Sequence, residues 1–182
     1  MKLILSATTI FAAVLLALDA SAFISKQTEN AAKQLGAFNV GEIEFQAGGD
    51  GIAEPSRDEI KRLLREARAA GTIDHIKVLA WSDQEYPMPK QKHSAREIKL
   101  ADQRLARAKT FLQSDLKVNS VKEYNMAQRP NAFEELMRLP EANVKNTTEN
   151  NGAAPKTQME LGLFGEKGQA SKAVVMVFLK KK

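Results

Sequence analysis

Residues 73–112 constrain this chain more than any other stretch. Ile76, Val78 and Ala80 alternate with Lys77, Leu79 and Trp81, so both sides of this segment are largely apolar, as in a covered strand. The segment runs into an acidic turn at Asp83, then a connection containing Pro87 and Pro89, then a long basic helix. Ser94 and Glu97 carry the S-x-x-E spacing of a capping box, which sets the helix start. Ala101, Leu105, Ala108, Leu112 and Leu116 fall on one helical stripe, with Arg104 at its flank and Arg107 further out. A carboxylate at a strand's C-terminal end and a guanidinium at the edge of the next helix's apolar face can therefore meet across one cleft.

The flanking chain supplies the remaining layers. Residues 23–39 are polar and Ala-rich, with a short helix expected at 29–35. Val40–Gln46 alternates Ile43 and Phe45 with Glu42 and Glu44, the pattern of a strand with one solvated face. Pro55-Ser56-Arg57-Asp58-Glu59 reads as a helix start capped by Ser56, and Ile60, Leu63, Leu64 and Ala67 give that helix an apolar face. A helix between two strands makes a crossover, so the strands at 40–46 and 74–82 should run parallel. A third strand is expected at 118–124, then a short helix capped by Asn131 with Glu134 at its third position, ending at Pro140. Residues 141–172 are rich in Asn, Thr, Gly and Lys and read as a long loop, with the apolar island Leu161–Gly165 as its anchor. Ala173 to Leu179 is apolar on both faces and belongs at a sheet's centre. The sum is an α/β (α+β) sandwich in the order β-α-β-α-β-β, a mixed sheet with helices packed on one face.

This order and these residues resemble the OmpA-like peptidoglycan-binding domain. The family pattern is a strand ending in G-H-T-D, a loop, then N-x-x-L-S-x-x-R-A-x-x-V-x-x-Y-L on a helix. Here the strand ends Ala80-Trp81-Ser82-Asp83, and the helix carries Leu100, Arg104 and the Phe111-Leu112 pair at the matching positions. The Gly-His, Asn and Ser positions differ, and the loop after Asp83 is longer. The resemblance covers residues 40–182. It implies a peptide-stem site in which Asp83 takes an ammonium and Arg104 a carboxylate, with Ser82, Leu100 and Arg107 as neighbouring candidates. A zwitterionic diamino acid suits such a pair, since a charge left unpaired in a pocket is costly.

Composition narrows the function further. Lys2, the apolar run from Leu3 to Leu18 and Ala20-Ser21-Ala22 make the pattern of a signal peptide over residues 1–22. The expected mature chain begins at Phe23, is exported to the periplasm, associates with the outer membrane or is secreted, and has no further membrane span. Its net charge is +5, with basic and acidic residues interleaved, which fits a polyanionic envelope surface better than nucleic acid. Without Cys there is no thiol chemistry. His75 and His93 have no partners at metal-ligand spacing and read as ordinary surface residues, so no metal or cofactor is expected. Trp81 reads as core. No nucleophile, phosphate-loop or metalloprotease motif is present, so an enzyme is not expected.

Two functions stay open: a non-catalytic wall binder that uses the Asp83–Arg104 pair, and a degenerate module that keeps the fold but binds an envelope protein. In the second, the same pair is an internal salt bridge. Mass spectrometry of the exported protein is expected to find a mature N-terminus at or beside Phe23, and an intact Met1 in a membrane fraction would contradict the signal-peptide reading.

Overall fold

Ala173–Leu179 contributes seven consecutive apolar residues, and the sheet is assembled around them. The structure, a computed structural model, describes residues 24–88, 90–137, 139–153 and 171–181. The expected signal peptide at residues 1–22 and the Leu161–Gly165 island lie outside the described residues. The elements are α1 (Lys26–Gln34), β1 (Asn39–Glu44), α2 (Glu54–Ala70), β2 (Ile73–Ala80), α3 (Ala95–Thr110), a π-helical continuation (Phe111–Asp115), β3 (Val121–Asn125), α4 (Ala132–Leu136), α5 (Pro140–Asn150) and β4 (Lys172–Leu179). The chain folds as an α+β protein with a four-stranded mixed sheet in the order β1-β4-β2-β3.

β4 pairs antiparallel with β1 on one side and β2 on the other, and β3 runs parallel to β2. β1 and β2 are thus parallel, as the crossover requires, but β4 lies between them. Its central place follows from its chemistry: Ala173 to Val177 are all buried, which only a strand covered on both faces allows.

Two helices cover one face. Ile60, Leu63, Leu64 and Ala67 of α2 and Leu105, Ala108, Phe111 and Leu112 of α3 and its continuation pack on Ile43, Ile76, Val78, Ala80, Val175 and Val177. α2 starts earlier than its sequence signal. Pro55 fits the first helical turn, Ala53 is the N-cap without a side-chain bond, and Ser56 is freed for another task. Its hydroxyl accepts from the Glu44 N–H at 3.0 Å, closing the end of β1.

The opposite face is covered too, which the one-face arrangement did not anticipate. Leu79, Trp81, Tyr124, Met126, Val174, Met176 and Phe178 are buried there with Ala32 of α1 and Val144 of α5. The side of β1 expected to be solvated is therefore largely closed. Glu42 keeps only 13 % side-chain exposure and pairs with Lys172 at 2.8 Å, while Thr28 of α1 donates to the same carboxylate at 3.0 Å. A carboxylate can be covered here because a cation and a hydroxyl replace its water.

Part of the expected 141–172 loop is helix. Pro140 opens α5 rather than ending the previous helix, at a position where its missing N–H costs nothing. The inward face of α5 is partly polar, which conceals its periodicity: Thr148 donates to Val144 O at 2.8 Å, and Lys145 reaches both Glu141 at 2.6 Å and Gln128 O at 3.0 Å. The Asn131 cap holds as expected, with Glu134 N donating to Asn131 and Asn131 N to the Glu134 carboxylate. His75, expected at the surface, is half-buried. Its ring stacks on Phe178 with centroids 4.5 Å apart, and Nδ1 meets Asp74 at 2.7 Å.

Gly41 in β1 marks the tightest helix-to-sheet approach. A Cβ there would lie 3.0 Å from Ile60 Cδ1 and 3.1 Å from Leu63 Cδ2, and both side chains are themselves buried. Gly41→Ala is expected to destabilise the protein by roughly 1–3 kcal/mol through overpacking. Ile60→Val in the same chain should recover part of that loss, so a urea double-mutant cycle with purely additive effects would contradict the close approach.

Candidate functional site

β2 ends at Ala80 and carries the chain across Trp81 and Ser82 to Asp83 at the C-terminal edge of the sheet. α3 crosses that edge and presents Arg104 on the flank of its apolar stripe. The sequence pairing is realised: Arg104 Nη2 donates to Asp83 Oδ1 at 2.6 Å. The pair does not stand open to a cleft, however. The Arg104 side chain is 0 % exposed, against 31 % for Asp83.

Three backbone carbonyls close around the guanidinium. Nε donates to Gly49 O at 2.9 Å, Nη1 to Trp81 O at 2.9 Å and Nη2 to Gln46 O at 3.2 Å. With the Asp83 bond, these use four of the five N–H groups an arginine offers. The guanidinium carbon also lies 5.3 Å from the Phe45 ring centroid, on the side of the core. The turn after β1 makes this closure possible. Gly48 adopts φ +70°, a conformation glycine takes without strain, and its N–H donates to Asp83 Oδ2 at 2.6 Å.

Asp83 is equally committed. Besides Arg104 and Gly48 it accepts from the Ser171 hydroxyl at 2.6 Å, just before β4. Burial of the carboxyl acts to raise its pKa, but the hydrogen bonds from Ser171, Arg104 and Gly48 outweigh it and hold the group below its ordinary value of 3.8. One carboxylate and one guanidinium thus join the β1 turn, the end of β2, α3 and the start of β4.

The other candidates take different places. Ser82 is fully buried, and its hydroxyl accepts from Gln84 N at 3.1 Å, shaping the turn that presents Asp83. Arg107 lies on the outer side of α3 and reaches Asp50 at 3.5 Å, with half of its side chain in solvent. Leu100 is half-buried in the first part of α3. Trp81 is buried in the second core, so it is closed to a sugar ring. The partners missed in the sequence are Gly48, Gly49, Gln46 and Ser171. The paired glycines after β1 were a readable sign of close backbone approach, whereas nothing near Ser171 points to Asp83, 88 positions away.

Among the described residues, no group of three or more His, Cys, Asp or Glu is placed to hold a metal ion, and no helix is long and apolar enough to cross a membrane. No protein-family model matches this sequence, and no curated protein is significantly similar to it.

Arg104→Ala is expected to lower unfolding free energy by about 3–5 kcal/mol, the usual cost of stripping one partner from a buried ion pair. Arg107→Ala should change it by roughly 1 kcal/mol or less. Because the folded Asp83 pKa is lowered, its contribution is complete above the unfolded carboxylate pKa and is lost as pH falls through the folded value. Parent protein should therefore lose stability below about pH 4 more steeply than Asp83→Asn, and parallel acid-denaturation curves would refute the linkage.

Proposed function

We propose that this chain is a non-catalytic, exported module of the cell envelope on an OmpA-like scaffold, in which the Asp83–Arg104 pair fastens the fold and the binding partner is a protein. The observation that carries this reading is the sealed guanidinium. Arg104 is 0 % exposed and gives its donors to three carbonyls and Asp83. A ligand carboxylate could reach it only by lifting the Gly48–Gly49 turn and displacing Asp83. That would break a buried, hydrogen-bonded ion pair, a cost of several kcal/mol that one new salt bridge scarcely offsets.

The charge of the chain and its leader-like first 22 residues support an envelope location. A second reading, peptidoglycan binding through the same pair, draws support from Asp83, which keeps 31 % of its side chain in solvent and could still meet an ammonium group. In that reading Asp83 takes the amine of a diamino-acid stem, and Arg104 reaches its carboxylate after the turn opens.

Sedimentation with insoluble, purified cell wall separates the two. The interaction-module reading expects the parent protein to stay in the supernatant, and Asp83→Ala and Arg104→Ala to change stability alone. Parent protein that pellets with the wall, and does so about 10–100-fold more weakly after Asp83→Ala, the scale of a lost charged hydrogen bond, would establish the wall-binding reading instead.

A further inference from the structure

The longer loop after Asp83 builds a second feature away from the sealed pair. Residues 85–88 and 90–93 lie beside the β3–α4 connection, and the two enclose a cleft of about 750 Å³. Its inner surface includes Pro87, Ile98, Ala127 and Pro130 and is predominantly apolar. The volume suits several residues of a peptide, and apolar walls with a few polar groups are the usual makeup of a binding site.

The loop is held in place independently of any partner. Tyr86 and Pro87 are buried. The Arg129 guanidinium lies over the Tyr86 ring at 4.6 Å, donates to Pro87 O and pairs with Glu149 of α5. Nε2 of His93 donates to Glu85 O at 2.6 Å. Between these fixed ends, Gln91 N donates to Met88 O at 2.9 Å, and the Gln91 side chain accepts from Met88 N. A cleft with walls fixed in this way spends little of its binding energy on ordering itself.

What the walls present to solvent identifies the partner's chemistry. Met88, next to Pro87 on the loop side, is 60 % exposed, and Leu136 at the end of α4 and Met137 after it, next to Glu135, are 80 % and 56 % exposed. Large apolar side chains exposed next to a cleft's walls add to its interaction surface, and methionine adapts to varied partners. Lys90 and Lys92 line the cleft wall and are exposed, and neither has a carboxylate partner among the described residues. The cation of Arg129 is answered by Glu149, and among the described residues that line the cleft Glu135 is the one acid. The cleft is therefore apolar within and positive along its loop-side rim. A second copy of this chain is a poor fit, because its own net charge is +5.

We infer that this cleft is the docking site of the module, and that its occupant is a peptide segment of another protein carrying Asp or Glu beside apolar side chains. The inference rests on the interaction-module reading above. The apolar residues fill the cleft and cover Met88 and Leu136, while the acids meet Lys90 and Lys92.

The probe is a random-peptide display library selected on the full chain, followed by titration of one selected, fluorescein-labelled peptide. Selected sequences are expected to combine Asp or Glu with Leu, Ile, Phe or Met, and to bind more weakly as salt rises. Affinity should fall roughly tenfold in Lys90→Glu/Lys92→Glu and again in Met88→Asp or Leu136→Asp, as for losses at an interface anchor. These positions are exposed, so unchanged melting curves will confirm that the variants fold. Arg65→Glu, on the exposed side of α2, should bind like the parent.

Failure to select peptides, selection without acidic residues, or affinity indifferent to the four substitutions each overturns the docking site. Displacement of the peptide by soluble muropeptides would assign the cleft to the wall and overturn the protein partner. A dimer in sedimentation velocity that the same substitutions abolish would assign it to a second copy. The wall-pelleting result for Asp83→Ala decides the parent reading separately, so either proposal can fail while the other stands.

Discussion

The Arg104 guanidinium ties the turn after β1, the end of β2 and helix α3 to one point at the sheet edge. It reaches the turn after β1 through Gln46 and Gly49, the end of β2 through Trp81 and Asp83, and through Asp83 it is linked to Gly48 and to Ser171 ahead of β4. A buried guanidinium is stable only when its donors are satisfied and its charge is answered. That requirement ties α3 to the sheet edge and positions the glycine turn above it. Sheet order contributes as well: β4 lies next to both β1 and β2, so the residue entering β4 arrives beside the end of β2.

The same rule governs the second face of the sheet. Glu42, Lys172, Lys145 and Thr148 are all largely enclosed, and each meets a partner of suitable chemistry. This polar framework lets α1 and α5 cover strands whose outward positions are not uniformly apolar. Purely apolar packing could supply comparable stability.

Function follows from where chemistry is consumed and where it is left over. At the sheet edge the charges are used up by the fold. At the rim of the cleft between the 85–93 loop and the β3–α4 connection, two lysines and several apolar side chains remain unanswered. The proline-containing connection after Asp83 thus borders a cleft whose exposed lysines have no carboxylate partner among the described residues. A resemblance in fold locates a site, while the groups left free at that site decide what it can hold.

The sequence by itself determined the strongly periodic elements. The β2-to-α3 unit, the Ser94 and Asn131 caps, the central place of β4 and the meeting of Asp83 with Arg104 were all legible, because each depends on patterns within a few residues or on a two-sided apolar run. The second helical layer was not, since α5 buries Lys145 and Thr148 and so carries no clean apolar stripe. Neither was the start of α2, where Pro55 at the first turn prevailed over Ser56 as a cap. That Arg104 is enclosed by the protein's own acceptors became visible only in the tertiary structure. Its side chain is sealed by carbonyls 55 and 58 positions away and by an aspartate that also accepts from Gly48 and from Ser171, 88 positions beyond it. Periodicity reports which face of an element is covered, but the fate of a charged group depends on which distant donors and acceptors the fold brings within 3 Å of it.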